Sequence, residues 1–159
     1  MKANQLIKVV IILSVMLIIA GCGDGVLSKT EWMEKLEGNT DKDISLVINQ
    51  FDEKNCTAEI SVINNTSHEV VFGEDYYIQQ KSGNAWKEVK HKTAIDGWNA
   101  VAFSVEAKGD FSWTIHWEVI YGVLGKGEYR IVKPFLANNS KNYRDNGYCV
   151  CEFSIGNID

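Results

Sequence analysis

From Ile44 onward, apolar residues recur at every second position, and this period of two restricts the chain to strands more tightly than any other feature. Ile44, Leu46 and Ile48 alternate with Ser45, Val47 and Asn49, and Ala58, Ile60 and Val62 alternate with Glu59 and Ser61. Asn64-Asn65-Thr66-Ser67 supplies a turn. Tyr76, Ile78 and Gln80 precede Ser82-Gly83-Asn84, a hairpin signal, after which Trp86 and Val89 resume the pattern. Val101, Phe103 and Val105 share one face. Beyond the polar turn 106–110, Phe111, Trp113, Ile115 and Trp117 form another stripe, followed by Tyr129 and Ile131, then Cys149, Cys151, Phe153 and Ile155. Single-sided stripes mean that one face of each sheet meets a core and the other meets water. Seven to nine short strands, one proline and no long helical pattern predict an antiparallel β-sandwich over residues 44–159. The large aromatics at 111, 113 and 117 read as core; the rival reading is an aromatic ligand platform for sugars.

What precedes Ile44 has a different character. Met1–Lys8 is short and basic, and Val9–Ala20 is uncharged and apolar, as in the n- and h-regions of a secretory signal. Twelve helical residues cover roughly 18 Å, short of a hydrocarbon core of roughly 30 Å, so a permanent membrane span is excluded on length. The segment ends in Ile19-Ala20-Gly21-Cys22, which resembles the lipobox of bacterial lipoproteins. That resemblance implies cleavage before Cys22, a diacylglyceryl group on its thiol, and fatty acylation that anchors the protein to the extracytoplasmic face of the cell membrane. Residues 1–21 are thus expected to be a signal peptide and 22–43 a lipidated tether. Within the tether, Ser28-Lys29-Thr30-Glu31 has the form of a capping box. Trp32 and Leu36 lie one helical turn apart, and Gly38-Asn39 ends the pattern, so a short helix is expected over 29–37.

The stretch Trp117 to Lys133 carries a second resemblance. Trp117, then Tyr121-Gly122, then Gly127-Glu128-Tyr129-Arg130-Ile131-Val132-Lys133 are similar to the recurrent elements of a bacterial immunoglobulin-like domain family. That family occurs in lipoproteins and other exported proteins, chiefly of low-GC Gram-positive bacteria. The resemblance covers roughly Ile44 to Ile155; Lys126 departs from it, standing where the family often has proline. It implies an immunoglobulin-like sandwich and export, and it supplies no catalytic residues. The residues make the same sense unaided. Gly125 and Gly127 suit a turn between sheets, and Tyr129 just beyond it is placed to pack inward and bond to upstream backbone. Gly122, Gly125 and Gly127 do not form a phosphate loop, because no strand-loop-helix unit surrounds them.

Charge and chemistry narrow the function. The chain carries a formal charge of −5, and loss of residues 1–21 removes two lysines and no carboxylate. Such a surface repels phosphate backbones, so no nucleic-acid partner is expected. The basic run Lys87, Lys90, His91 and Lys92 reads as a solvated loop. Besides Cys22 there are Cys56, Cys149 and Cys151; Cys56 bonded to Cys149 or Cys151 and three buried thiols are both open. His68, His91 and His116 are isolated, with no ligand spacing, so no metal or cofactor is expected. No Gly-x-Ser-x-Gly elbow or His-Glu-x-x-His motif occurs. Trp98 beside Gly97 is the candidate binding loop, either as an exposed anchor or as a lid folded back on the core. These features describe a non-catalytic surface module that binds a protein or envelope polymer; the alternative is a cell-surface protease inhibitor acting through its loops, and an enzyme ranks below both.

The anchor has a direct test. Metabolic labelling with a fatty-acid analogue is expected to mark the wild type and spare Cys22→Ser; equal labelling of both would remove the lipid from the account.

Overall fold

The computed structural model describes Leu36, residues 41–92, Trp98, and residues 100–139 and 142–156, with side chains described outside 138–146. The expected signal segment, Cys22 and the expected helix over 29–37, apart from Leu36, lie outside the described residues. The chain divides into two compact units, Met1–Trp32 and Met33–Asp159, and the second holds everything described.

Nine strands and one helical turn make up the described residues. In chain order they are β1 (Ile44–Asp52), β2 (Thr57–Asn64), β3 (Val70–Phe72), β4 (Tyr77–Ser82), β5 (Ala85–Glu88), β6 (Phe103–Val105), β7 (Asp110–His116), α1 (Trp117–Tyr121), β8 (Gly127–Asn139) and β9 (Asn142–Ile155). A small sheet runs β1-β2-β7, and a large one runs β5-β4-β8-β3-β6 with β9 also paired to β8. All pairings are antiparallel. The two sheets form the expected sandwich.

The alternation seen in sequence is what faces inward. Ile44, Leu46, Ala58, Ile60, Val62 and Ile115 from the small sheet are buried against Val70, Phe72, Ile78, Ile131, Phe135 and Ile155 from the large one. A bulge between Ile48 and Gln50 shifts the phase of β1, so that Phe51 pairs with Ala58. Phe51 then stacks on Trp117 with centroids 5.4 Å apart and planes 15° apart. Asn64, fully buried, donates to the carbonyls of His68, Val105 and Glu106 and accepts from Thr66, which ties the end of β2 to the turn before β7.

Three elements depart from the periodic reading. β3 has only three residues, too few for alternation to show, although Val70 and Phe72 are both buried. β8 continues to Asn139 and β9 starts at Asn142, through polar sequence, because main-chain pairing needs no apolar side chains. Trp117 does not extend the strand stripe but opens α1. Trp117 and Tyr121, four apart, are the buried face of this helical turn, and Leu124 beyond its cap is buried too. Phe111 and Trp113 are only half-buried; they pack on Phe72 at 5.7 and 5.1 Å between ring centroids.

The α1–β8 connection depends on its glycines and on Tyr129. Gly122 ends α1 at φ 76°, and its N–H bonds to the Glu118 carbonyl at 2.9 Å. Gly127 needs space rather than unusual angles, since a Cβ there would lie 2.9 Å from Gln80 Nε2 and 3.3 Å from the Tyr129 ring. Gly125 has neither requirement, contrary to the expectation of turn angles at both 125 and 127. Tyr129 is buried, stacks on Phe153 at 5.5 Å, and its hydroxyl donates to the Gly125 carbonyl at 2.8 Å. That is the geometry of a tyrosine corner.

Two substitutions separate the ring from the hydroxyl. Tyr129→Ala is expected to cost about 3–5 kcal/mol in a denaturant titration, through lost packing. Tyr129→Phe, which loses only the bond to Gly125, is expected to cost about 1 kcal/mol. Equal costs would mean that the hydroxyl, not the ring, secures the corner.

Candidate functional site

One end of the sandwich gathers the segment after β5, Trp98 and α1. The Tyr121 hydroxyl donates to the Tyr76 carbonyl at 2.9 Å, which fixes α1 to the start of β4. The Lys92 N–H donates to the Ile120 carbonyl at 2.8 Å, and the Lys92 stem lies over Gly122, where a Cβ would meet its Cδ at 2.9 Å. His91 turns its ring edge-on to Tyr121 at 5.0 Å and to Trp98 at 6.5 Å. The expected solvated basic loop is therefore solvated only at its lysines; His91 is half-buried because Tyr121 offers it an aromatic wall. Burial pushes the Tyr76 and Tyr121 hydroxyls well above the ordinary tyrosine range.

Trp98 is half-buried with its ring 5.3 Å from that of Tyr76, and it packs against the core cluster. It does not stand clear as a tip. Tyr76 provides apolar surface that an isolated indole in water lacks, and this favours the lid arrangement. The exposed apolar groups at this end lie on α1 and just after it: Val119 and Val123 are 74% and 75% exposed.

The strand that follows, β8, holds two buried cations. Arg130 is 3% exposed; its Nε donates to Gln79 Oε1 at 2.6 Å, its Nη2 to the Leu36 carbonyl at 2.9 Å, and its guanidinium sits 4.7 Å over Trp86. Lys133 is fully buried, with Nζ donating to the carbonyls of Gly73 and Asp75 and 3.8 Å from the Asp75 carboxylate. The rings of Phe72 and Trp113 lie 5.1 and 5.6 Å from that nitrogen. Burial pulls the Lys133 ammonium down to about 8, against the opposing pull of Asp75. Position 133 keeps the parity of Tyr129 and Ile131, and that parity was the signal in the sequence that its side chain turns inward.

A family model described as a bacterial Ig-like domain matches residues 38–147, which takes in Trp117, Tyr121-Gly122 and the run Gly127 to Lys133. The chain belongs to this family. No curated protein matches it. In the Ig-like domain the two sheets, the Tyr129 corner and the paired cations of β8 are thus parts of one scaffold.

The cysteines of the Ig-like domain do not bridge. Cys56, Cys149 and Cys151 are free, which corrects the option of Cys56 bonded to Cys149 or Cys151. Cys56 lies at the β1–β2 turn with φ 52° and its thiol 3.7 Å from the Glu53 carbonyl. Cys149 lies opposite Lys133 in the middle of β9, its thiol 3.7 Å from the Lys133 carbonyl, and Cys151 lies opposite Ile131. Each thiol thus has its own local environment, at the hairpin end or in mid-strand. Burial raises all three, Cys149 to about 12, so their thiolates are scarce near neutrality.

Among the described residues, no group of three or more His, Cys, Asp or Glu side chains is arranged to hold a metal ion. A shallow polar depression of about 450 Å³ lies at the hairpin end of the small sheet, lined by Gln50, Phe51, Asp52, Glu53, Thr57, Glu59 and Thr114. Two of its three carboxylates have structural partners: Asp52 accepts from Asn55, which lowers its pKa, and Glu53 accepts from the Gly156 N–H.

Lys133 gives the Ig-like domain a pH signature. Its pKa is about 8 in the fold against an ordinary 10.5, so the unfolded chain binds more protons between those values. Its contribution to stability is full above 10.5 and is lost as pH falls through about 8. Compared with the non-titrating Lys133→Met, the wild type is expected to gain up to about 3 kcal/mol of relative stability from pH 8 to 10.5. Paired urea titrations across that range check it, and a constant difference would mean that Lys133 titrates as it does in water.

Proposed function

We propose that this protein is a non-catalytic surface module, anchored to a membrane by lipid on Cys22, whose Ig-like domain binds a protein or an envelope polymer through the end formed by α1, Lys92 and Trp98. The observation that carries this reading is the exposure of Val119 and Val123. Val119 lies on α1 and Val123 just past its Gly122 cap, while the neighbouring Trp117, Tyr121 and Leu124 are buried. A five-residue helix would not form alone. Here the Tyr121 hydroxyl and the Ile120 carbonyl pin it from below, so Val119 and the start of the turn that carries Val123 are held while both valines stay exposed. Exposed valines at the same end of the sandwich as a half-buried tryptophan and an exposed lysine suit the nonpolar face of a sugar unit or an apolar side chain of a partner.

Family membership supports a module that displays a surface rather than one built for turnover. The apolar leader ending in Ala20-Gly21-Cys22 supports export and the lipid anchor. The loop-inhibitor alternative needs a rigid projecting tip at Trp98, and the packing of that ring on Tyr76 does not favour it.

The double variant Val119→Asp, Val123→Asp tests the surface. Both sites are open to water, so the melting curve is expected to stay within about 0.5 kcal/mol of wild type. Retention on isolated cell-envelope material is expected to fall at least about tenfold, equivalent to about 1.4 kcal/mol. Undiminished retention would place the binding surface elsewhere.

A further inference from the structure

An open sandwich leaves strand edges, and protected edges carry recognisable devices: shortness, a bulge, a lysine or a proline. β6 has three residues, β5 carries Lys87, and the register of β1 on β2 is broken between Ile48 and Gln50. β7 has none of these. It pairs with β2 in unbroken register from Asp110–Ile63 to His116–Thr57, and among the described residues nothing pairs with its other edge. The bonds at its two ends fix where its amides point. The Asn64 N–H donates to the Gly109 carbonyl at 2.9 Å, and the Trp117 N–H donates to the Cys56 carbonyl at 3.1 Å. Odd-numbered positions of β7 therefore bond to β2, and the amides of Asp110, Ser112, Thr114 and His116 face the open side.

The side chains of β7 add two features. Asp110, Ser112, Thr114 and His116 are exposed on the outer face, while Phe111 and Trp113, on the inward face, are only half-buried. Phe111 packs on Phe103 of β6 and Trp113 on Phe72, each with ring centroids 5.1 Å apart, so an apolar rim stands open between β6 and β7. The second feature is that β7 complements itself. Turned about a two-fold axis through Trp113 and laid antiparallel on a copy of itself, it sets Asp110 against His116, Phe111 against Ile115, Ser112 against Thr114, and Trp113 against its own copy. At both ends of that pairing an imidazole N–H donates to a carboxylate, and nowhere along it do like charges meet. Trp113 falls at a pair without main-chain bonds, where cross-strand side chains come closest, so each indole helps to cover the other copy's rim.

We propose that the open edge of β7 is a homodimer interface, in which two copies pair antiparallel about Trp113 and join their small sheets into one. The occupant is a second copy because the charge complementarity is internal to the strand: each end of β7 supplies what the other end lacks, as a two-fold contact requires. The main-chain amides that face outward give the affinity, and the Asp110–His116 pairs set the register. An interface of one short strand from each copy falls at the low end for specific contacts, below about 1,200 Å², so the dimer is a weak one in solution. The pairing rests neither on lipid at Cys22 nor on the valine surface. Where that surface binds a polymer, two joined copies engage it as a bivalent unit.

Sedimentation equilibrium on the full chain in density-matched mild detergent tests the pairing. The wild type is expected to dimerise with a Kd of about 1–100 µM. Asp110→Lys and His116→Asp each remove the charge match at both ends of the interface, and each is expected to weaken dimerisation at least about tenfold. The double variant Asp110→Lys, His116→Asp restores the match with its sign reversed and is expected to dimerise within about threefold of the wild type. Both positions are exposed, so melting curves close to that of the wild type check that the fold is intact. Wild type that stays monomeric at about 1 mM overturns the proposal. So does a dimer that neither single change weakens, or one that the double variant fails to restore. Hydrogen exchange then separates strand pairing from contact through side chains alone. On dimerisation the amides of Ser112 and Thr114 are expected to slow at least about tenfold, and those of Phe111 and Trp113, already bonded to β2, less than about threefold. A dimer in which Ser112 and Thr114 exchange as fast as in the monomer sinks the shared sheet.

Discussion

β8 is buried on both faces from Tyr129 to Lys133, and most of the domain is organised by what that burial demands. A central strand dry on both sides must pair every polar group it carries, because an unpaired buried cation costs several kcal/mol. Arg130 and Lys133 meet the demand on opposite faces. Lys133 points inward and binds the carbonyls of Gly73 and Asp75, which holds the β3–β4 loop to the strand. Arg130 points outward and binds Gln79 and the Leu36 carbonyl, which ties Leu36 to the neighbouring strand. The two cations thus act as staples for segments whose own apolar content is small.

Aromatic packing completes the interior around them. Phe51, Trp117, Phe153 and Tyr129 form a connected chain of rings that runs from β1 across α1 to β8 and β9. A second group, Phe72, Phe103, Phe111 and Trp113, fills the space between β3, β6 and β7 and provides part of the wall around the Lys133 ammonium. The ring faces, negative at their centres, compensate in part for the water that Lys133 has lost. At the α1 end a third group, Tyr76, Tyr121, His91 and Trp98, fixes the helical turn from beneath and leaves its outer valines bare. The stability of that end and its exposed surface therefore have one cause.

Some of this was legible residue by residue. The inward set Ile44, Leu46, Ala58, Ile60 and Val62 follows from alternation alone, since strand side chains switch faces at each step. The Ser82–Asn84 turn follows from its glycine, and Gly83 has φ 62°. Other features were hidden for identifiable reasons. β3 is shorter than one cycle of a convincing pattern. α1 interrupts a strand stripe because Trp117 fits either period, and only the later Tyr121 separates the two. Asn142–Gly147 is paired to β8 through main chain, which side-chain polarity does not report. Trp98 sits beside turn-forming residues, and that placement could not reveal the Tyr76 ring beneath it.

By itself, then, the sequence determined that residues 44–159 would be a two-sheet antiparallel sandwich, which alternating residues of the longer strands would carry the core, and that Tyr129 would close the corner at the start of β8. These follow from local rules: the period of side chains along a strand and the chemistry of turns. The tertiary structure alone decided that the cysteines stay apart, that Lys133 titrates in a dry site, that Trp98 lies on Tyr76, and that Arg130 reaches back to Leu36. Each of these depends on segments far apart in the chain meeting at a few ångströms, and no local pattern encodes which partners will meet.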